Sequence, residues 1–405
     1  MNILTFTSLW PNAEQPNFGV FIKHRVAAMA RRDDVEVRAV APVPYFPQMI
    51  TRSLPLAVLN QVPAHWRRMA RLPKQELVAG IETFHPRHLV TPKIGMFFYG
   101  GWMARGAWET VRRLHRERRI DLIDAHYVYP DGYAAILMGE RLNIPVFLTA
   151  RGTDINLFSR LPLIRPKIVQ ALNRATGVIA VSQALKQRMI ELGIAAEKIA
   201  VIPNGVDREI FHPQNRETAR RRLRLNLEDQ VILTVGALVP VKGIDRLIDA
   251  MAVLAHKEQG SRTKLFVIGE GSEQAALESQ ISNLKLQDRV FLLGAKPQTE
   301  LAVWYSAADL FCLTSQREGC PNVIIEAMAC GLPIVAADVG DVRGLVDQSC
   351  GRVVATSLAE DLATEISAAL ATNWDRSKIA ERGGARSWAE VADDVLRYFV
   401  ERRGR

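Results

Sequence analysis

Short apolar runs, each followed by a polar turn and then a helical pattern, recur along this chain in two successive series. The first opens with residues 1–9, passes through a loop rich in Pro and Asn into a helix over about 20–31, and returns to an apolar run at 35–41. Runs at 122–125, 146–149 and 177–182 repeat the unit. The second series has runs at 231–236, 264–269, 290–294, 310–314 and 333–336, with a helix from Ile244 after the first of them. Strands that alternate with helices need crossover connections, so each series predicts a parallel sheet. An α/β fold with two doubly wound, Rossmann-like domains is the expectation. Between 42 and 106 the pattern degrades into Pro, Arg and aromatic residues.

At 405 residues the chain is too long for one ordinary core and suits two of roughly 200 residues each. Pro203, Gly205 and Pro213 are breakers between the series, which places one domain at 1–205 and the second at 206–385. The closing stretch, about 386–405, holds an amphipathic helix expected to pack back onto the first domain. Apolar residues make up 48% and charged residues 23%, the profile of a globular chain that needs no covalent staples. The four cysteines, Cys312, Cys320, Cys330 and Cys350, have no CxxC spacing and no nearby His pair. They read as reduced core residues of a cytosolic protein. No run reaches the roughly 18 apolar residues of a membrane span. Residues 1–10 lack a basic segment and read as a buried strand, so a cytoplasmic location is expected.

Charge is uneven. Residues 1–205 carry 27 Lys and Arg against 15 Asp and Glu, a net +12, whereas 206–405 carry 25 against 28, a net −3. The first half is therefore expected to face something anionic. Zinc-finger, RRM and basic-helix motifs are absent, which argues against nucleic acid.

The most informative stretch runs from Ser315 to Pro333, SQREGCPNVIIEAMACGLP. An apolar strand enters a loop holding Glu318, Gly319 and Cys320. Pro321 suits the first turn of a helix, since its missing N–H has no partner there. The amides around Asn322 and Val323 then form a helix N-terminus, which favours a phosphate. Glu326 follows eight residues after Glu318. Two carboxylates flanking an anion site suit a ligand with hydroxyls on both sides of a diphosphate, as in a nucleotide-sugar. Glu318 is expected to accept from sugar hydroxyls and Glu326 from the ribose. The carboxylates require a cation between them and the phosphates, and Lys242, in GALVPVKG at the carboxyl end of a strand, is the candidate.

These motifs jointly resemble the retaining glycosyltransferases of family 4, which have the GT-B fold of two Rossmann-like domains facing a central cleft. EGCPNVIIEAMACGLPIVA is similar to that family's Glu-x7-Glu signature, VGALVPVKG to its diphosphate loop, VIPNGVD to its interdomain linker, and IGEG with LLGAKP to its base-binding region. REGCPNV, SLWPN and NFGVF look most like the bacterial exopolysaccharide and teichuronic-acid branch. The resemblance implies an acceptor-side first domain and a donor-binding second domain. It implies that Gly19 lets backbone approach the donor phosphate, and that Phe291, Leu293 and their neighbours read the base beside Gly269 and Glu270. It implies that His126, in DAHYVYPDG, serves the sugar and acceptor, with Lys242 and Glu318 at the reacting centre.

Two positions depart from the family. Ala237 stands where an Arg is usual, so either Lys242 suffices or Arg317, Lys296 or Arg151 supplies a second charge. Arg151-Gly-Thr-Asp154 stands where relatives have His first; Asp154 either orients the acceptor side or caps a helix. No Asp-x-Asp motif or metal-spaced cluster is visible, so no metal and no cofactor are expected. The resemblance also implies retention of configuration and a UDP-sugar donor. Aromatic and Arg clusters between Tyr45 and Arg119, namely 66–71, 97–102 and 112–119, suit an anionic surface at the inner membrane face and a polyprenyl-diphosphate-linked acceptor. The rival readings are a GT-B-fold epimerase or phosphorylase, and a catalytically silent scaffold.

Overall fold

The computed structural model describes residues 1–45, 68–69, 71–91, 95–257, 262–355 and 358–403. Trp66, Arg67 and Ala70 of the first aromatic and basic cluster lie outside them. The chain divides into two units, Met1–Asn204 with Trp388–Arg405, and Gly205–Ser387.

The first unit contains β1 (Asn2–Phe6), β2 (Glu36–Val40), β3 (Val43–Tyr45), β4 (Gln75–Val78), β5 (Ile81–Phe84), β6 (Arg87–Leu89), β7 (Leu122–His126), β8 (Val146–Ala150), β9 (Gly177–Ala180) and β10 (Ile199–Val201). Eight of these form one sheet in the order β10-β9-β8-β7-β1-β2-β5-β4, and β3 pairs with β6 apart from it. β7 and β8 are buried along their whole length, Asp124, His126 and Thr149 included, so both faces of the sheet are covered there. β4 and β5 sit where the sequence pattern degrades. They form an antiparallel hairpin turned by Ala79 and Gly80, both at positive φ, and its outer strand leaves Leu77 72% exposed.

The final helix, Trp388–Arg403, packs within this unit. Its buried Val391, Ala392, Val395 and Phe399 fall on one face and join Ile22, Val26 and Met29 of the helix Val20–Ala30. Phe399 meets Phe147 of β8 with ring centroids 4.5 Å apart. The Tyr398 hydroxyl donates to the Lys198 carbonyl at 2.7 Å and accepts from the Val178 amide at 3.1 Å.

The second unit holds β11 (Gln230–Val235), β12 (Thr263–Ile268), β13 (Val290–Leu292), β14 (Leu310–Leu313), β15 (Ile334–Ala337) and β16 (Gly351–Val354). They form a fully parallel sheet in the order β13-β12-β11-β14-β15-β16. Val231 and Leu233 enter one core cluster and Ile232 enters the other, as the two-residue period of a strand requires.

Strand order reverses once in each sheet. In the first unit the chain moves one way from β1 to β2 and the other way from β7 to β10; in the second it moves one way from β11 to β13 and the other from β14 to β16. The crevices outside the carboxyl ends of β1/β7 and of β11/β14 are therefore the places where such sheets bind ligands.

Replacing Phe399 by Ala removes a ring that is fully buried against Phe147 and the first helix. The expected cost is about 3–5 kcal/mol of stability in the first unit, measurable as a fall in the urea midpoint.

Candidate functional site

Two loops leave the sheet at the reversal in the second unit. The loop after β11 makes a single turn, Pro240–Lys242, and the loop after β14 runs through Thr314–Cys320 to the helix Asn322–Ala329. They are laced together: the Gln316 amide donates to the Val241 carbonyl at 2.8 Å, and the Thr314 hydroxyl donates to the Gly243 carbonyl at 2.8 Å. On that frame Lys242 Nζ meets Glu318 Oε1 at 2.7 Å. The pair retains 26% and 12% side-chain exposure. A partly exposed pair contributes no more than about 1 kcal/mol to stability. Its chemical consequence is larger: Lys242 neutralises a carboxylate that would otherwise repel phosphates.

Pro321 occupies the residue before the helix rather than its first turn, and its carbonyl accepts from the Ile324 amide at 3.0 Å. Asn322 and Val323 open the helix and are half-buried, as are Gly319 and Cys320. First-turn amides lack intrahelical acceptors, so this helix end is suited to an anion. Glu326, one turn further in, is half-buried and accepts from the Tyr305 hydroxyl at 3.3 Å. Burial pushes its carboxyl up to about 7, against the opposing pull of that hydroxyl. Tyr305 lies in an apolar helix, Gln298–Ala307, and nothing in the sequence singled it out.

The neighbouring strand ends close over the same loop. Gly269 has φ 153, and a Cβ there would lie 1.8 Å from the Gly236 carbonyl oxygen, so only glycine lets these backbones approach. The Glu270 carbonyl accepts from the Leu238 amide at 2.9 Å, and its exposed side chain accepts from the Ala295 amide at 3.3 Å. Phe291 stacks on Phe266 with centroids 5.0 Å apart, and the Leu293 amide donates to Val267 at 2.9 Å. Lys296 is paired with Glu300 at 3.3 Å, whereas Arg317 and Ala237 are exposed.

The first unit builds its reversal point differently. Asp124 and His126 are two apart on β7 and so share a face. Arg25 donates from Nη2 to both Asp124 oxygens, each at 2.6 Å, and from Nη1 to Thr149 at 3.0 Å. Burial alone would raise the Asp124 carboxyl, yet Arg25 and His126 hold it below the usual carboxylate range. His126 is fully buried, and burial pushes its imidazole down to about 3, so the ring is neutral. Its Nε2–H donates to Asp124 at 3.2 Å and its Nδ1 accepts from Arg151 Nη2 at 2.6 Å. Both ring nitrogens are engaged by the protein. The side chain that the resemblance assigns to the sugar and acceptor lies in the interior and bears on Arg151. Arg151, half-buried, also reaches Asn204 Oδ1 at 3.1 Å and lies 5.2 Å from the Phe21 ring centroid.

Asp154 is fully buried. Its carboxylate accepts from the amides of Val128 at 2.8 Å, Gly152 at 2.8 Å and Arg151 at 3.1 Å, tying together the loops that follow β7 and β8. It lies within the short helix Thr153–Asn156 rather than at its cap. Gly19 is buried at the head of the first helix with φ 65, where a Cβ would lie 2.2 Å from the Leu9 carbonyl oxygen. Asp131, which the sequence reading passed over, is fully buried across the β1/β7 reversal and accepts from the Ser8 amide. Among the described residues no group of three or more His, Cys, Asp or Glu side chains is placed to hold a metal ion. The four cysteines carry no disulfide. No described helix is long and apolar enough to cross a membrane.

Two parallel-sheet units, the second bearing a lysine–glutamate pair and a helix N-terminus at its reversal point, define the GT-B class of glycosyltransferases. Residues 23–210 match Glycosyltransferase Family 4 and residues 215–386 match Glycosyl transferases group 1. The Bacillus subtilis protein TuaC, assigned as a teichuronic acid biosynthesis glycosyltransferase, is 29% identical over 403 residues, 98% of this chain and 92% of the relative. The D-inositol 3-phosphate glycosyltransferase of Frankia alni is 31% identical over 307 residues, 70% of this chain and 75% of the relative. The structure of Anabaena Alr3699/HepE in complex with UDP matches with a TM-score of 0.72 at 21% identity, over 99% of this chain and 100% of that one. The chain belongs to the family 4 glycosyltransferases.

Asp131 supplies a pH test of the first unit. Burial pushes its carboxyl up to about 7, opposed by the Ser8 amide. A raised carboxyl stabilises the fold fully below its unfolded pKa of about 4. As pH rises from there through about 7, the unfolded chain releases a proton that the folded chain keeps, and stability falls. Urea midpoints at pH 4.5 and 8 are expected to show a smaller loss for Asp131→Asn than for the natural chain.

Proposed function

We propose that this glycosyltransferase uses a UDP-sugar donor, retains the anomeric configuration, and delivers the sugar to a lipid-linked or polysaccharide intermediate of the cell envelope. The observation that carries the donor half is the 2.7 Å pair between Lys242 and Glu318, supplied by the two loops that flank the reversal of the second sheet. The UDP and UDP-glucose complexes of the Anabaena protein support the choice of nucleotide. The teichuronic acid assignment of the Bacillus relative supports the choice of acceptor.

In this reading the diphosphate lies at the N-terminus of the helix Asn322–Ala329, against Lys242 and the first-turn amides. Glu318 accepts from the sugar hydroxyls, and Glu326 from the ribose. Phe291 and Leu293, with the Gly269–Glu270 turn, flank the base. Negative charge grows on the leaving diphosphate as the glycosidic bond breaks. Preorganised donors meet that charge without reorganising, at about 3 kcal/mol of barrier per donor. Lys242 and the helix amides are those donors, and no metal ion is needed. Arg317, exposed on the Glu318 loop, supplies the second charge in place of an arginine at Ala237.

The leaving phosphate assists deprotonation of the acceptor on the same face, which retains configuration. His126 contributes through Arg151, which it orients, and Asp154 holds the Arg151 loop in place. The basic first unit faces the anionic acceptor and makes peripheral contact with the inner membrane face.

A thermal-shift series with UDP-, GDP- and ADP-sugars tests the donor. A ligand at a hundred times its Kd adds about 2.7 kcal/mol, several degrees of Tm for a unit of this size. UDP-sugars are expected to give that shift, with Lys242→Ala and Glu326→Ala each losing most of it. An undiminished shift in both variants would refute the assigned contacts.

A further inference from the structure

Tyr305 carries a hydroxyl that packing alone does not call for. Every residue from Leu301 to Ala307 of its helix is buried, and its ring is fully enclosed. The ring packs against Phe211 and Phe311, with centroids 5.9 and 5.7 Å apart. A phenylalanine would fill that space as well. A hydroxyl placed there costs free energy unless it finds a partner. Its one partner among the described residues is Glu326 Oε2, at 3.3 Å.

Glu326 is served just as sparsely. No cation pairs with it among the described residues, and the Tyr305 hydroxyl is the one donor to it there. Cys330, one turn further along, is the other titratable side chain beside both groups. Burial, and then Glu326 itself, pushes that thiol up to about 12, so it is neutral and cannot hold a carboxylate by charge. Glu326 Oε1 has no protein partner among the described residues and keeps an opening to solvent. A lone hydroxyl–carboxyl pair in an apolar cluster adds little stability, because two apolar side chains of the same shape would serve nearly as well. One oxygen is tied down and the other is left free, as a ligand contact requires.

We propose that Tyr305 is a positioning residue for the donor: its hydroxyl fixes the Glu326 carboxyl through Oε2 and aims Oε1 at the ribose hydroxyls, so that the site selects ribonucleotides over nucleotides lacking those hydroxyls. The inference rests on the ribose contact proposed above for Glu326. Tyr305 itself touches no part of the donor. It removes side-chain freedom that Glu326 would otherwise lose on binding, so the ribose meets an acceptor already oriented. A nucleotide without the hydroxyls leaves that oriented acceptor unpaired, which is how a polar site rejects an analogue.

The test is isothermal titration calorimetry of the full chain with UDP and with dideoxy-UDP, which lacks both ribose hydroxyls. The natural chain is expected to bind UDP about tenfold more tightly than the dideoxy form. Tyr305→Phe is expected to bind UDP about fivefold more weakly and dideoxy-UDP unchanged, so the preference shrinks to about twofold. In a Glu326→Ala background, adding Tyr305→Phe is expected to change neither affinity, since the two act as one unit. A merely structural tyrosine would weaken both ligands alike, and an unchanged urea midpoint shows that Tyr305→Phe is folded. Equal loss for the two ligands, an undiminished preference in Tyr305→Phe, or a further loss in the Glu326→Ala background overturns the proposal and leaves the ribose contact standing. A natural chain that binds both nucleotides alike removes the ribose contact itself, and the proposal with it.

Discussion

The reversal of strand order between β11 and β14 is the constraint from which the donor chemistry follows. Two neighbouring parallel strands whose connections leave in opposite directions open a gap at their carboxyl ends, and no helix covers it. The loops that rim this gap bring Lys242 and Glu318 to 2.7 Å, although 76 residues separate them in the chain. Backbone bonds between the loops, and the glycine at 269 that lets a third strand end crowd in, hold the rim in one shape. In the proposed donor site the diphosphate meets a cation already desolvated in part, beside the end of the helix Asn322–Ala329.

The matching reversal in the first unit is built from buried charge. Arg25, Asp124, His126 and Arg151 form a continuous chain of polar contacts, with Asn204 at its far end. Burying an unpaired carboxylate is costly, and the Arg25 guanidinium, donating to both carboxylate oxygens through Nη2, offsets that cost. The consequence for His126 is a fixed neutral tautomer. Its ring serves as an acceptor for Arg151 because Asp124 takes the only ring proton. Positions 126 and 151 are thereby linked, and Arg151 carries the contact on to Asn204.

Much of this was legible in the residues. β14 is apolar throughout because both of its faces are covered, and the alternation of such short runs with helical patterns predicted parallel α/β sheets. The strand, loop and helix around Glu318 also read directly, through Pro321 and the spacing to Glu326. What failed was local pattern at an edge. β4 has two polar residues followed by two apolar ones, with no alternation to mark a strand, and its two-residue turn, Ala79–Gly80, is weak beside an Asn-Gly signal. Burial of His126 was illegible for another reason. Asp124, which takes its ring proton, is itself paired with Arg25, 99 residues away in sequence, and no periodicity relates the two. Tyr305 escaped notice because a hydroxyl on an apolar helix looks like core until its partner Glu326 is in place.

A crystal structure of the chain with a UDP-sugar bears most directly on the central claim. The account places the diphosphate within hydrogen-bonding distance of Lys242 Nζ and the amides opening the helix Asn322–Ala329, with Glu318 on the sugar and Glu326 on the ribose. Phosphates bound away from that helix end, with the Lys242–Glu318 pair undisturbed, would contradict it.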